Sequence, residues 1–396
     1  MNRYRKEISE KIIKREYSHG DENQINNLYK TLKKIDRTNS EYRWEWIETW
    51  NGKGSIWLGF DKSRNENEQL IMQYSLIPTP LSFWGNVYLA GKTENCMCHP
   101  DYRSKGVYFR HEKEFFEKTK EIYSAFFTTS GNVSRGAAGA VRRKLGYKGL
   151  DSWVTYFYCF KDKRVEQWIY EKIKNKFGDK NGIFKILSIF ISKIISNYCL
   201  LNKCENKNRN LEIKLVEKEK VLLNEIEKFW NNNSYKYGIT IDRNKKYLEW
   251  RINKNPYADH KYLIYYKNKE ILGYLIFYCK NGFCHVVDLI SQNKDREIMI
   301  EMLSFLKDYG LNNNIYIIIS SAAKHNKTIN KVFTDSGFLN NKIFQSILMR
   351  LKPYYKNPIH VFLTQELISE YKNRKEELMS AESWYINDLF KEGRAG

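Results

Sequence analysis

The sequence predicts a mixed α/β fold that is built twice along one chain. Apolar, β-prone runs alternate with charged stretches in which apolar residues recur at helical spacing. The order strands, helix, strand, helix and strand occurs first within residues 1–165 and again within residues 210–355. Repetition of one layout in a chain of 396 residues predicts a tandem repeat of one domain.

The first repeat contains a series of strand and helix signals. Residues 70–77 form an apolar, β-prone run, and residues 86–98 continue that pattern. Apolar residues at helical spacing within 109–123 predict an amphipathic helix after these strands. The remaining predicted elements are a buried strand within 123–132 that ends in a Ser-Gly-Asn turn, a short helix at 134–145 that Gly146 stops, and a strand at 152–160.

The second repeat predicts the same layout with different residues. Three β-like runs lie within 261–290, with turns predicted at 267–270 and 280–282. The elements predicted after them are an amphipathic helix at 296–310, a strongly apolar strand at 314–322 and a helix that begins near 326 and ends before Gly337.

Shifts in composition predict the domain boundaries. We predict a first domain at 1–165, an apolar helical linker at 166–209, a second domain at 210–355 and a charged, partly helical C-terminal tail at 356–396. Within the linker, residues 183–201 are mostly apolar, and their few polar residues recur at helical spacing. This helix either packs between the two domains or lies in a membrane surface with Lys185 and Lys193 towards the headgroups.

The charge balance indicates an anionic partner. Lys and Arg number 67 against 46 Asp and Glu, which gives a formal net charge of +21. Such an excess favours a nucleic acid, a lipid surface or a phosphorylated ligand, unless many of the lysines are simply solvated. Aromatic residues make up 15% of the chain but occur in runs typical of a buried core rather than of a base-stacking platform, so nucleic acid is the least favoured partner.

The cysteines and the apolar runs indicate the compartment. Seven cysteines are scattered without regular spacing, which fits a reduced, intracellular setting. Cys96 and Cys98 are too close in sequence for a zinc knuckle, and no metal site is predicted. The N-terminal stretch MNRYRKEISEKIIKREY lacks the apolar core of a signal peptide, and no apolar run has the length of a membrane span. We therefore expect a cytoplasmic protein, with peripheral contact at the inner membrane face through 183–201 as a further option.

The stretch HPDYRSKGVY, residues 99–108, joins a predicted strand to a predicted helix. The first backbone N–H groups of a helix have no partner within the helix, and the helix dipole favours an anion at that end. Gly106 lets the backbone approach a ligand closely, and Arg103 and Lys105 add positive charge. This corner therefore predicts a phosphate-binding loop.

The loop and its surroundings resemble the GNAT superfamily of acyl-CoA-dependent N-acetyltransferases. The family's loop is Gln or Arg, two residues, Gly, one residue, then Gly or Ala. Here that loop reads Arg103, Ser104, Lys105, Gly106, Val107, Tyr108, and the last position departs from the pattern. The turn at 130–132 matches the family's Asn near the coenzyme, and RRKLGYKGL (142–150) matches the end of the family's next helix. The resemblance covers about residues 70–160 and is looser on either side.

The resemblance implies two tandem GNAT-like domains, each a mixed, mostly antiparallel sheet flanked by helices. In the first domain it implies acetyl-CoA, or another acyl-CoA, as co-substrate. The second domain resembles the same fold with its site lost, because SQNKDREIMIEM has no Gly where the phosphate loop would be. The coenzyme would contact backbone groups of Met97 and Cys98 as an added strand does. The implied coenzyme-binding residues are Met97, Cys98, Arg103, Ser104, Lys105, Gly106, Val107, Tyr108, Asn132 and Ser134.

Two residues are implied in catalysis by direct attack of an amine on the thioester carbonyl. Glu94, on the strand that leads to the loop, is the candidate base. Arg142 stands where many GNAT enzymes have a Tyr that protonates the leaving thiolate, so electrostatic stabilisation of the thiolate is the role left for it. Direct transfer needs no cysteine nucleophile. His99 is expected to be structural, and His111 is expected to lie on a solvated helix face.

Three functions remain open at this point. EYRWEWIETWNGKG (41–54) and DRNKKYLEWRINKNPYADH (242–260) resemble an element of tandem GNAT proteins from bacterial surface-polysaccharide clusters. That similarity implies acylation of an amino sugar, or of a sugar-linked amine. The alternatives are a tRNA-dependent aminoacyl transferase of the peptidoglycan type, against which the loop at 103–106 argues, and a non-catalytic module that binds a lipid surface or nucleic acid.

Overall fold

The computed structural model describes residues 11–103, 105–129, 137–177, 182–201, 212–340, 358–391 and 393–394. Contacts within the chain divide it into two compact units. Unit 1 comprises Met1–Leu150, Glu249–Pro256 and Lys356–Met379. Unit 2 comprises Asp151–Leu248, Tyr257–Tyr355 and Ser380–Gly396. The boundaries that the sequence places at 165, 209 and 355 stay predictions beside this division.

Strands and helices alternate along the described residues, as the sequence predicts. The strands are β1 Ile12–Glu16, β2 Ser55–Asp61, β3 Leu70–Phe83, β4 Asn86–Cys98, β5 Ala125–Thr128, β6 Lys148–Cys159, β7 Glu212–Glu217, β8 Ile239–Ile241, β9 His260–Lys267, β10 Glu270–Lys280, β11 Phe283–Ser291, β12 Ile317–Ala323, β13 Leu339–Asn340 and β14 Pro358–Leu363. The helices are α1 Glu22–Lys33, α2 Asn39–Trp46, α3 Val107–Thr119, α4 Ala137–Lys144, α5 Lys163–Phe177, α6 Ile183–Leu201, α7 Leu223–Asn233, α8 Lys245–Leu248, α9 Arg296–Asn312, α10 Lys327–Asp335, α11 Gln365–Glu370 and α12 Lys375–Met379.

The sheet of unit 1 has the strand order β1-β2-β3-β4-β5-β14. Every neighbouring pair is antiparallel except β4 and β5, which run parallel and are connected through α3. One face of this sheet carries an aromatic core in which Trp57 of β2 stacks on Phe115 of α3, with ring centroids 5.5 Å apart. This packing fixes α3, and therefore the corner at its N-terminus, against the sheet.

Strand β3 is longer than the sequence predicts. The predicted run stops at residue 77, whereas β3 continues through Pro78 and Pro80 to Phe83. Proline cannot donate a backbone hydrogen bond and normally ends a strand. Because the ladder between β2 and β3 ends at the pair Ser55 and Leu76, these prolines remove no hydrogen bond from that ladder. The pairing with β4 therefore continues beyond them to Phe83 and Asn86.

Unit 1 also contains one tryptophan from each of the two segments that resemble each other, 41–54 and 242–260. Trp44 of α2 and Trp250 stack with ring centroids 5.4 Å apart. The Trp44 Nε1–H donates to the carbonyl of Trp250 at 3.1 Å, and the Trp250 Nε1–H donates to the carbonyl of Trp44 at 2.9 Å. The similarity between 41–54 and 242–260 is thus accompanied by a reciprocal contact that holds residues 249–256 within unit 1.

The sheet of unit 2 repeats the layout of unit 1. Its order is β6-β12-β11-β10-β9-β7, with one parallel pair, β11 and β12, connected through α9. The predicted turns at 267–270 and 280–282 are confirmed, since Asn268, Lys269, Asn281 and Gly282 all have positive φ. The mixed, mostly antiparallel α/β architecture is therefore confirmed in both units.

The C-terminal tail contributes more than the predicted helices. Residues 358–363 form β14, which pairs with β5 in unit 1. In unit 2, Asn387 Nδ2 donates at 2.6 Å to Asp288, which is fully buried and forms an ion pair with Arg243. The tail also buries three apolar residues next to Asn387 in the sequence, Trp384, Tyr385 and Ile386. The tail is thus an integral part of the two cores rather than an appendage.

Candidate functional site

The corner between β4 and α3 joins a strand to a helix through a short turn and Gly106, as the sequence predicts. A short 3₁₀ turn at Pro100–Tyr102 follows β4, and its N-cap is His99, whose ring accepts from the Asp101 backbone N–H. Gly106 adopts the left-handed conformation with φ of +74°, and α3 begins at the next residue. The first amides of α3 therefore follow a backbone conformation that an L-amino acid adopts only with strain.

The N-cap residue of α3, Gly106, provides no side-chain hydrogen bond to the first helical amides. Gly106 has no side chain to cap the helix, and a Cβ atom placed there would meet nothing within 4 Å. Val107, the first helical residue, is fully buried and anchors the turn in the core. An anion at this end would meet the first helical amides and the positive end of the helix dipole.

The charged residues of the loop lie beside the strand end. The Arg103 Nε–H donates to the Cys98 carbonyl at 3.0 Å, so this side chain is held against the end of β4. Lys105 Nζ lies 5.9 Å from the centroid of the Tyr102 ring. The predicted contacts Ser104, Asn132 and Ser134 lie outside the described residues.

Strand β4 changes its pairing directly before the corner. Its ladder with β5 covers three pairs and ends at Lys92 and Phe127. On the β3 side, the register shifts between the pairs Ser75–Glu94 and Gln73–Met97, which is a bulge around Asn95, whose φ is +47°. Within the described residues, the part of β4 that contains Met97 and Cys98 thus follows both a bulge and the end of the β5 ladder. An extended ligand could add to a strand edge of this kind.

Glu94 lies on a buried, polar face of the sheet. It is 3% exposed and forms an ion pair with Lys92, two residues earlier on the same strand face. Directly opposite Glu94 on β3 stands Ser75, and Gln73 follows on that face. Both side chains are completely buried, and within the part of the chain that the structure describes the Ser75 Oγ and both polar atoms of the Gln73 amide have no hydrogen-bond partner. Leaving such groups unsatisfied costs free energy, so this face favours a polar ligand.

Arg142 lies on the opposite face of the sheet from Glu94. It forms an ion pair with Glu112 of α3, and its Nη2 donates to Cys96 Sγ at 2.9 Å. Its guanidinium carbon lies 5.6 Å from the ring centroid of Tyr74, whose side chain alternates with those of Gln73 and Ser75 on β3. The structure therefore does not bring the two predicted catalytic residues into contact. It places them on either side of the strand that ends in the loop.

Tyr108, the residue that departs from the GNAT loop pattern, points into the cluster around Arg142. Burial, followed by the neighbouring Cys96, raises the pKa of its hydroxyl well above the ordinary value. Gln73, Ser75 and Lys92, which line the face around Glu94, are not among the residues predicted from the sequence. The signal for the first two was present, because polar residues at alternate positions of an apolar strand share one face.

Cys98 does not have the properties of a nucleophile. Burial raises the pKa of its thiol to about 11, although Arg103 lowers it in part. A thiol with such a pKa is protonated at neutral pH, and the thiolate is the reactive form. Within the described residues, no group of three His, Cys, Asp or Glu side chains could hold a metal ion.

The prediction that His111 lies on a solvated helix face is wrong. His111 is completely buried on α3, and its ring nitrogen Nε2 lies 3.0 Å from the Trp57 carbonyl, to which it can donate. Burial lowers the pKa of the imidazole to about 4. The charged residues next to His111 in the sequence suggested a solvated face. His111 instead lies on the aromatic face of α3, which packs on the sheet.

We expect the stability of the protein to fall between pH 6.5 and pH 4 because of His111. The unfolded chain binds a proton near the ordinary pKa of 6.5, whereas the folded protein binds it only near 4. The free energy of unfolding is therefore highest above pH 6.5 and falls on acidification by about 1.4 kcal/mol per pH unit for this group. Urea unfolding at several pH values measures this slope.

The variant His111→Gln keeps an N–H donor and removes the titrating ring. Between pH 6.5 and pH 4, the slope of its unfolding free energy against pH should therefore be smaller by about 1.4 kcal/mol per pH unit, the contribution of one proton. The control is His19→Gln, because the His19 side chain is 84% exposed. An unchanged slope in His111→Gln, or the same reduction in His19→Gln, would contradict the assignment.

The comparisons with known proteins find the fold rather than a sequence family. No protein-family model and no curated protein matches the chain. A solved structure from Enterococcus faecalis, described as a probable N-acyltransferase, is similar over 89% of this chain and 72% of its own, with a TM-score of 0.58 and 12% identity. A GCN5-related N-acetyltransferase from Anabaena variabilis has the same coverage, with a TM-score of 0.54 and 9% identity.

A tandem GNAT protein from the clavulanic acid biosynthesis pathway is similar over 89% of this chain and 98% of its own. The TM-score is 0.51, and the identity is 8%. At such identities, structural similarity establishes the fold alone. The chain therefore has the tandem GNAT fold, and the expected pair of GNAT-like domains is confirmed.

Proposed function

We propose that the protein is an acyl-CoA-dependent N-acyltransferase whose coenzyme binds at the corner between β4 and α3. The observation that carries this proposal is the open helix N-terminus at Gly106, directly after a strand whose β5 ladder ends early. The similarity to N-acetyltransferase folds supports the reaction class. Acetyl-CoA is the simplest donor.

The residues at the corner fit the coenzyme. The amides after Gly106 would bind the diphosphate, with charge from Arg103 and Lys105, and the edge of β4 at Met97 and Cys98 would hold the pantetheine arm. Asn132 and Ser134 are proposed contacts on the basis of the sequence resemblance. When bound, the coenzyme supplies an activated acyl group as a thioester.

In this proposal, Glu94 accepts the proton of the attacking amine on one face of β4, and Arg142 stabilises the charge of the leaving sulfur from the other face, beyond the end of the β5 ladder. The unsatisfied side chains of Gln73 and Ser75, on the same face as Glu94, suit the hydroxyl groups of a sugar. We therefore propose an amino sugar, or a sugar-linked amine, as the acceptor in surface-polysaccharide biosynthesis. The setting proposed is cytoplasmic or peripheral at the inner membrane face.

The test is calorimetric titration of acetyl-CoA into the protein, followed by an assay of thiol release with a panel of amino sugars. We expect a dissociation constant in the micromolar range, typical of metabolite sites. Thiol release should depend on an amino sugar and should be absent with the matching neutral sugar. Failure of the folded protein to bind acetyl-CoA would overturn the proposed reaction class.

We expect Glu94→Gln to lower kcat for the amino sugar by about 10²- to 10⁴-fold, the usual contribution of a general base. The affinity for acetyl-CoA should not change, because Glu94 accepts a proton and does not hold the coenzyme. Steady-state kinetics and calorimetry measure the two quantities separately.

The control for this variant is Glu45→Gln, which also removes a buried carboxylate from an ion pair, in this case with Arg37 at 2.9 Å. It carries a comparable structural cost without a proposed role in the reaction. Equal losses of kcat in both variants would show that Glu94→Gln lowers kcat by disturbing the fold and not by removing a base.

A further inference from the structure

Helix α6 buries its three serines and exposes many of its large apolar residues. Ser188, Ser192 and Ser196 are buried. Ile186 is 71% exposed and Phe190 is 63% exposed. The exposed apolar residues are Ile186, Leu187, Phe190, Ile194, Tyr198 and Leu200. Four of them, Ile186, Phe190, Ile194 and Tyr198, are spaced by four and form one continuous stripe along the helix, which we call the apolar stripe.

The buried serines are satisfied within unit 2. The Ser188 and Ser192 hydroxyls donate to the carbonyls of Lys185 and Ile189, at 2.7 and 2.9 Å. The Ser196 hydroxyl donates to the Phe160 carbonyl at 3.0 Å. These small side chains accompany Ile191 and Ile195 on the buried face of α6, which packs against α5. The orientation of α6 is therefore fixed by its own packing, and the outward position of the apolar stripe follows from it.

The described residues of the segment that contains α5 and α6 are positively charged. Residues 161–177 and 182–201 contain eight Lys and Arg against three Asp and Glu, a net charge of +5. Lys193 is exposed and adjoins the apolar stripe in the helix. Within the described residues, no helix is long and apolar enough to cross a membrane. An exposed apolar face with basic residues beside it is typical of a helix that lies in the plane of a membrane interface.

We propose that α6 docks on an anionic lipid surface, with the apolar stripe inserted below the headgroups and the basic residues of α5 and α6 paired with lipid phosphates. Charge complementarity favours this partner over a second copy of the chain, because two such segments would each bring a net charge of +5 and would repel one another. The inference does not depend on the coenzyme site. Its test can therefore fail while the proposed reaction is confirmed, and the reverse also holds.

Flotation of the full-length protein with vesicles tests the proposal. We expect binding to equimolar phosphatidylcholine and phosphatidylglycerol, weakening with added salt, and little binding to phosphatidylcholine alone. The double variant Ile186→Glu/Phe190→Glu should bind roughly tenfold more weakly or worse, because it removes two large apolar side chains from the inserted face and adds negative charge.

The matched control is Ile35→Glu/Ile122→Glu, which changes two apolar residues of unit 1 that are 52% and 55% exposed. It introduces the same charge outside unit 2, to which α6 belongs, and should bind vesicles as the wild type does. Circular dichroism verifies that each variant is folded. The proposal is overturned if the wild type does not float, if both double variants lose binding equally, or if the α6 variant binds normally. A wild-type dimer that only the α6 variant abolishes, without vesicle binding, would identify a second copy as the partner.

Discussion

We expect Gly106→Trp to abolish the binding of acetyl-CoA that the wild type shows in calorimetric titration. Gly106 has φ of +74°, and its missing Cβ points into open space beside the first turn of α3. An indole placed there would occupy the position proposed for the diphosphate. A loss of roughly hundredfold or more in affinity is expected, since the helix N-terminus and its amides would no longer be accessible to the anion.

Part of this effect could arise from backbone strain, and Gly52→Trp controls for that. Gly52 also lies in unit 1, has φ of +80° and has open space at its Cβ position. Both variants therefore impose a similar strain, of about 1–2 kcal/mol, and a similar exposed indole. Retention of acetyl-CoA affinity by Gly106→Trp would contradict the proposed site, and equal losses in both variants would assign the effect to the fold.

Local patterns sufficed to predict many elements of the fold. The bounds of β4 agree with the predicted run, and the turns at 267–270 and 280–282 follow from Asn, Lys and Gly residues that adopt positive φ. Elements that depend on distant partners did not follow from the sequence. Strand β14 pairs with β5 across more than two hundred residues, and nothing in its own six residues specifies that partner.

The loop of the candidate site was predictable, but its surroundings were not. Gly106 and the helix after it carry a local signal, because helix N-termini and positive φ each have residue preferences. The polar face around Glu94 depends on the cross-strand register, which sets Ser75 opposite Glu94 and which the bulge at Asn95 shifts by one residue before Gln73 meets Met97. A pattern of alternating residues does not reveal where such a bulge occurs.

We expect Arg142→Met to lower the free energy of unfolding by about 3–5 kcal/mol. The side chains of Arg142 and Glu112 are 5% and 0% exposed, so the substitution leaves a buried carboxylate without its cation. Urea unfolding measures the change. As a control, Lys30→Met breaks an exposed pair with Asp36 and should cost no more than about 1 kcal/mol.

The double variant Arg142→Met/Glu112→Leu should recover most of the lost stability, because it replaces the ion pair by apolar side chains of similar volume. It restores the fold without restoring the guanidinium, so its rate of acyl transfer reports the charge of Arg142 alone. We expect acetyl-CoA affinity near that of the wild type and a rate of thiol release lower by about 10²-fold, as for the loss of one electrostatic stabiliser. A wild-type rate in the stable double variant would show that Arg142 acts only in the core, as the partner of Glu112.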